Sequence, residues 1–396
     1  MYGFNLEWQN MFLVQNLSIF GKTFFTMKTR FTVLIFLACM IDSFVCNAQN
    51  SQCDRQQIEC WGTSVGMISH TDKNIRYDGR VLIDSTAAHL FYPGTSISVT
   101  VKNEGSLCAK FSSTGDVFYW IEVDGHEAYK VKSAHFVPLP KQKPPYTIKI
   151  TLVSEGIYHN PEFYGFSWCA EYPFPEISRP ADKKLKFEFI GNSITCGYGT
   201  EVTDRSPFND STSNFCHGFA YRTAQAFDAE CMVVARSGIG IYRNYGEKDS
   251  ALYYGCMPDN YEKLWLDSPH QWDFSKFTPD VLFINLGTND TWEMSSFNAE
   301  KYERNFRKLM NSVTAHYPKT TIVLLTGSMM GPEALAAVKP ILDKIQKDYT
   351  TTKKQLVYRF DFTPVAGEGA DWHPSSAQQE AMSKELIPFV KKILEK

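Results

Sequence analysis

The segment KFEFIGNSIT, residues 186–195, sets the fold class of this chain. Phe187, Phe189 and Ile190 make a short buried strand, and Gly191 permits a tight turn that lifts Ser193 beyond its end. Downstream, strand-like runs at 232–235, 281–286, 321–325 and 356–360 alternate with helical patterns at 218–227, 300–316, 333–349 and 376–396. Such alternation predicts an α/β domain, a parallel sheet covered by helices on both faces. In such sheets ligands bind beyond the carboxyl ends of the strands.

Upstream the pattern is different. Short strands at 80–83, 96–101, 117–123 and 146–152 are punctuated by Pro93-Gly94 and Asp124-Gly125. They predict an all-β sandwich of roughly 110 residues. Between the two patterns stand Pro173, Pro175 and Pro180, which cannot continue a helix or a central strand. The expected organisation is a β-sandwich over 53–172, a linker over 173–183 and the α/β domain over 184–396. For 396 residues, two domains are an ordinary number.

The N-terminus reads as an export signal. After Met27 come Lys28 and Arg30, an apolar run at 31–40, and Asn47-Ala48 before a cut. This is the pattern of a Sec-type signal peptide occupying 1–48, with Met27 as the better initiator and cleavage near Ala48. A periplasmic or extracellular location follows. No later stretch reaches about 18 apolar residues, so no membrane span is expected. Of ten cysteines, Cys39 and Cys46 fall in the leader. The remaining eight (53, 60, 108, 169, 196, 216, 231 and 256) permit disulfides or free thiols, with no zinc-like spacing. A net charge of −3 argues against a nucleic-acid partner bound through its phosphates. The 14% aromatic content suits β-rich packing or a carbohydrate surface.

Four strand ends carry candidate chemistry. Ser193 follows the first strand, Gly238 the second and Asn289 the third, while Asp371-Trp372-His373 precedes the last helix. A serine needs an adjacent imidazole to take its proton. An acyl-transfer intermediate needs donors for its oxyanion. Singly each feature reads as a turn, cap or loop residue; together they supply a nucleophile, a base, an acid and oxyanion donors.

In this combination and order the chain resembles the SGNH (GDSL-type) hydrolase superfamily. Gly191-Asn192-Ser193-Ile194-Thr195 stands for its first block, Gly238 for the second, Asn289 for the third and His373 for the last. With a jelly-roll-like sandwich in front, the chain is similar to carbohydrate esterase family 2. Tyr77-Asp78-Gly79-Arg80, Leu90-Phe91-Tyr92-Pro93-Gly94, Cys196-Gly197-Tyr198-Gly199 and Gly240-Ile241-Tyr242-Arg243-Asn244-Tyr245 carry that likeness. The resemblance implies an esterase that deacetylates a polysaccharide such as acetylated xylan or glucomannan, without metal or organic cofactor. Ser193 would be the nucleophile and His373 the base. The oxyanion would rest on the backbone N–H groups of Ser193 and Gly238 and the amide of Asn289. Asp371 would orient the histidine, and Trp292 and Trp372 would face the sugar. Two departures stand out. Asn192 replaces the usual Asp, and the acid lies two rather than three residues before His373, where Ala370 occupies the usual place. A main-chain carbonyl is therefore the alternative orienter. The competing functions are an inactive carbohydrate-binding protein and an esterase for lipid or peptidoglycan O-acetyl groups.

Overall fold

The structure, a computed structural model, describes residues 64–112, 115–169, 173–248 and 255–395. The leader expected at 1–48, and Cys53 and Cys60, lie outside the described residues.

The N-terminal part is built from β1 (Ser64–Ser69), β2 (Arg76–Asp78), β3 (Val81–Ile83), β4 (Ala88–Leu90), β5 (Ser96–Val101) and β6 (Cys108–Phe111). These are followed by β7 (Phe118–Val123), β8 (His126–Lys132), β9 (Val137–Pro138), β10 (Tyr146–Leu152), β11 (Glu162–Cys169) and β12 (Ile177–Ser178). They form two antiparallel sheets. One runs β3-β4-β11-β6-β9 with β1 beside β11; the other runs β12-β5-β10-β7-β8 with β2 beside β5. Period-two alternation drives the packing. Ile97, Val99 and Val101 of one sheet meet Phe111, Phe163 and Phe166 of the other in a single buried cluster. The stretch 173–183, expected to be only a linker, supplies β12, whose Ile177 pairs with Val101. At a sheet edge the flanking prolines forfeit no ladder hydrogen bond, which is why they are tolerated here.

The second part holds five parallel strands, β13 (Leu185–Gly191), β14 (Ala229–Ala235), β15 (Val281–Asn285), β16 (Thr321–Thr326) and β17 (Val357–Asp361). Their order is β14-β13-β15-β16-β17. Helices α1 (Ser193–Cys196), α2 (Phe219–Ala226), α3 (Met257–Asn260), α4 (Ala299–His316), α5 (Pro332–Thr352) and α6 (Ser376–Leu394) connect and cover them. Alternate strand residues divide between two cores. Val281 and Phe283 pack with Phe219 of α2 and Leu386 of α6. Leu282 and Ile284 pack with Phe306 of α4 and Val338 of α5. The helices and strands read from periodicity are thus present, within a few residues of the expected ends.

The two parts share buried charge. Arg80, from the turn after β2, is fully buried in the second part, where its guanidinium donates to Tyr261 O and Lys263 O at 2.6 Å each. It lies 3.6 Å from the Glu188 carboxylate of β13, which is equally buried. Tyr261, Trp272 and Phe274 surround the guanidinium at 5.1–5.4 Å. Burial pushes the Glu188 carboxyl up to about 7 and Arg80 pulls it back.

Cys108, Cys196, Cys216, Cys231 and Cys256 are free thiols. Among the described residues no helix is long and apolar enough to cross a membrane, and no group of His, Cys, Asp and Glu is arranged to hold a metal ion.

Candidate active site

Strand β13 ends at Gly191, and Asn192 caps the short helix α1 through Oδ1, which accepts the Ile194 N–H at 3.1 Å. Asn does this as well as Asp, so replacing the usual acid leaves the turn intact. Ser193 is the first residue of α1, and its N–H has no intrahelical acceptor. Its Oγ lies 2.8 Å from His373 Nε2. On the other side of the ring, Nδ1 lies 3.1 Å from Ala370 O. A carbonyl only accepts, so Nδ1 carries the proton and Nε2 is left to accept from the serine. Burial lowers the His373 pKa, while the Ala370 and Asp371 carbonyls and the Asp371 charge act in the other direction. The imidazole is thereby kept neutral, as a base must be.

The structure does not place the Asp371 carboxylate on His373. Its Oδ2 accepts the Tyr198 hydroxyl at 2.7 Å and the Phe208 N–H at 3.3 Å. The reason is the backbone: Asp371 and Trp372 both adopt left-handed conformations, with φ of 45° and 65°. That turn directs the acid outward and brings Ala370 O to the ring. A bulky residue such as Trp is rare in this region, and the surroundings must hold it there. They do so through Asp371 N–H to Ser206 O, Ala370 N–H to Gly199 O and Arg205 Nε to Gly367 O, at 3.1, 3.0 and 2.9 Å. Gly199 is required, because a Cβ there would lie 2.4 Å from Ala370 Cβ. Tyr198 also packs on the His373 ring at 4.1 Å between centroids. Where an acid orients an imidazole, neutralising it costs about 10⁴-fold. Asp371→Asn is expected to lower kcat by no more than about tenfold, or 1.4 kcal/mol. It is also expected to move the acid limb of the pH–rate profile to lower pH, because it removes a charge that favours the imidazolium. A loss of several thousandfold would restore the acid as orienter.

Gly238 sits in the loop after β14 with φ of 79°, a conformation that favours glycine. Its carbonyl accepts the Tyr245 N–H at 2.9 Å. Asn289, in the loop after β15, spends one amide proton on Ile239 O at 2.8 Å. The second amide proton of Nδ2 is available to an oxyanion. Both loops are tied to buried Asp290. Its carboxylate accepts the N–H groups of Ile241 and Tyr242 at 2.9 Å. Its carbonyl accepts Arg243 Nε at 2.8 Å. Burial raises the Asp290 carboxyl to about 6, and these backbone N–H groups oppose the shift.

Trp372 is 58% exposed, with the Arg205 guanidinium 4.0 Å from its ring centre. Trp292 is anchored by Nε1 to Glu247 O at 3.0 Å and meets the exposed ring of Tyr245 edge-on at 5.7 Å. Tyr245 and Trp292 thus border the Gly238 loop, and Trp372 borders His373. Sequence reasoning passed over Tyr198, Asp290 and Tyr245. All three lie inside or beside motifs it quoted, so their positions were a usable signal.

Comparison with known proteins finds hydrolases and esterases. A model of the GDSL-like Lipase/Acylhydrolase family matches residues 189–381. The Cellulase/esterase CelE of Acetivibrio thermocellus is 30% identical over 325 residues, 76% of this chain and 36% of that protein. An Acetylxylan esterase / glucomannan deacetylase of Cellvibrio japonicus is 25% identical over 84% of this chain and 92% of its own length. A solved family two carbohydrate esterase from Clostridium thermocellum, in complex with cellohexaose, has a TM-score of 0.73 and 27% identity. That alignment covers 81% of this chain and 99% of the solved chain. The C-terminal domain is therefore a GDSL-type (SGNH) hydrolase. The chain, with its β-sandwich in front, is similar over most of its length to solved family two carbohydrate esterases. It spans little more than a third of the length of the Acetivibrio relative.

Proposed function

We propose that this chain is an exported serine esterase that removes O-acetyl groups from acetylated xylan or glucomannan. The observation that carries the reading is the hydrogen bond from Ser193 Oγ to His373 Nε2 at 2.8 Å, with Ala370 O fixing the tautomer. Ser193 Oγ attacks the acetyl carbonyl carbon while His373 Nε2 takes its proton. The oxyanion rests on the N–H groups of Ser193 and Gly238 and on Asn289 Nδ2. As the tetrahedral intermediate collapses, the bond to the sugar oxygen breaks and His373 returns the proton to that oxygen. Water, deprotonated by His373, then attacks the acetyl-serine, and acetate leaves as Ser193 recovers its proton.

The names of the Cellvibrio relative and the sugar in the Clostridium structure support a polysaccharide substrate. So do the exposed rings of Trp372, Trp292 and Tyr245, which offer faces to a pyranose. Export is supported by the residue pattern at 27–48. The bond between Ser193 and His373 speaks against an inactive binding protein.

Acetate release across acetylated xylan, acetylated glucomannan and O-acetylated peptidoglycan, together with 4-nitrophenyl esters of increasing chain length, tests the reading. Release from the plant-type polymers and a preference for acetyl over longer acyl groups are expected. A preference for peptidoglycan or for long acyl chains would overturn it. In the same assay kcat/KM should fall toward acid with a midpoint below about 6.5, the ordinary imidazole value, because burial favours the neutral base.

A further inference from the structure

Glu155 lies in the sandwich, three residues past the end of β10, yet its carboxylate reaches the hydrolase loops. Oε2 accepts the Ser237 N–H at 2.9 Å, and Oε1 accepts the Ser237 hydroxyl. The thiol of Cys196, three residues past Ser193 in α1, is buried, and burial together with the nearby Glu155 charge keeps it protonated. The residue is 8% exposed. Burial pushes its carboxyl up, and the Ser237 donors and the Arg236 charge pull it back.

One buried carboxylate of the sandwich therefore grips the loop that presents Gly238. Ser237 and Gly238 share the peptide unit that carries the Gly238 N–H. Glu155 holds this unit on its N-terminal side, and the Tyr245 N–H holds the Gly238 carbonyl on the other. Glycine at φ 79° has no side chain to fix it, so these outside grips set where its N–H points. Oxyanion stabilisation depends on donors fixed before the reaction, and a shift of about 1 Å costs on the order of 10²-fold.

We propose that Glu155 is a positioning residue for ester hydrolysis, through which the β-sandwich holds the oxyanion-binding loop in place. This rests on the reading of Ser193 as nucleophile and of Gly238 as oxyanion donor. The sandwich is on this account part of the catalytic apparatus and not only a carbohydrate-facing module.

The test compares full-length wild type, Glu155→Ala, Glu155→Gln, Ser237→Ala and Ser193→Ala on 4-nitrophenyl acetate. Glu155→Ala is expected to lower kcat by about 30- to 100-fold, with KM within about threefold of wild type. Glu155→Gln should recover to within about fivefold, because its carbonyl accepts the Ser237 N–H and its amide donates to the Ser237 hydroxyl. Ser237→Ala, which removes one of the two bonds, should lower kcat by about three- to tenfold. If Glu155→Ala does not fold, Ser237→Ala and Glu155→Gln carry the test. The proposal is overturned if Glu155→Ala loses less than threefold in kcat, if its loss lies in KM, or if Glu155→Gln is as impaired as the alanine variant. It is overturned equally if Ser237→Ala matches wild type. Ser193→Ala separates the two levels. If it is inactive while Glu155→Ala is normal, only the present inference fails; if it is active, the underlying reading fails.

Discussion

Ser193→Ala is expected to fold normally and to lose acetate release by roughly 10⁴-fold or more, with His373→Ala falling to a similar level. The reason is geometric. Ser193 Oγ has His373 Nε2 at 2.8 Å, and the ring is held at its far nitrogen by Ala370 O. A serine hydroxyl without a base is a very weak nucleophile, and a base without the serine has nothing to activate. The two act as a unit, so the double variant should be little worse than either single one. Nearly additive losses, or activity within tenfold of wild type in either single variant, would exclude the assignment. Ser193 makes no long-range side-chain bond besides that to His373, so Ser193→Ala should unfold within a few degrees of wild type.

Asn289→Ala is expected to lower kcat by about 10²–10³-fold, equivalent to about 3–4 kcal/mol, with a much smaller change in KM. The amide nitrogen has two protons, and the structure uses one of them on Ile239 O. That bond stiffens the loop following Gly238, so some loss comes from loop position and some from the missing donor. A single lost hydrogen bond of this kind contributes about 1 kcal/mol, too little to explain a thousandfold drop. A fall of fivefold or less would mean that Asn289 only ties the loops together. A matching rise in KM would mean that it binds substrate and transition state alike.

Much of this was legible in the residues. The parallel sheet was, because KFEFI and VLFIN are short, mostly apolar runs that lead within two residues into Gly191 and Gly287 and alternate with helical patterns. The meeting of Ser193 with His373 was, because each is ordinary alone but the order of the four blocks is specific. Between Asp371 and a main-chain carbonyl as orienter the sequence left the choice open, because proximity in sequence says nothing about two consecutive left-handed residues. Those residues turn the acid to Tyr198 and leave a carbonyl at the imidazole. The strand at Ile177–Ser178 was hidden by its prolines, which exclude a central strand but not an edge. Glu155 had no local signal. A lone acid after a strand acquires its meaning only when Ser237, some 80 residues onward, folds against it.

Arg80 belongs to the sandwich by sequence and to the hydrolase by environment. Its guanidinium lies 3.6 Å from the Glu188 carboxylate, and its Nη1 donates to two carbonyls of the second part. Cutting the chain at the proline-rich stretch, to graft the hydrolase half onto another carrier, would leave Glu188 alone among Tyr261 and Tyr317. Removing one partner of a buried ion pair typically costs about 3–5 kcal/mol, a large share of the stability of a typical domain. The gene segment that looks like a portable cassette shares a buried charge pair with the part it would leave behind.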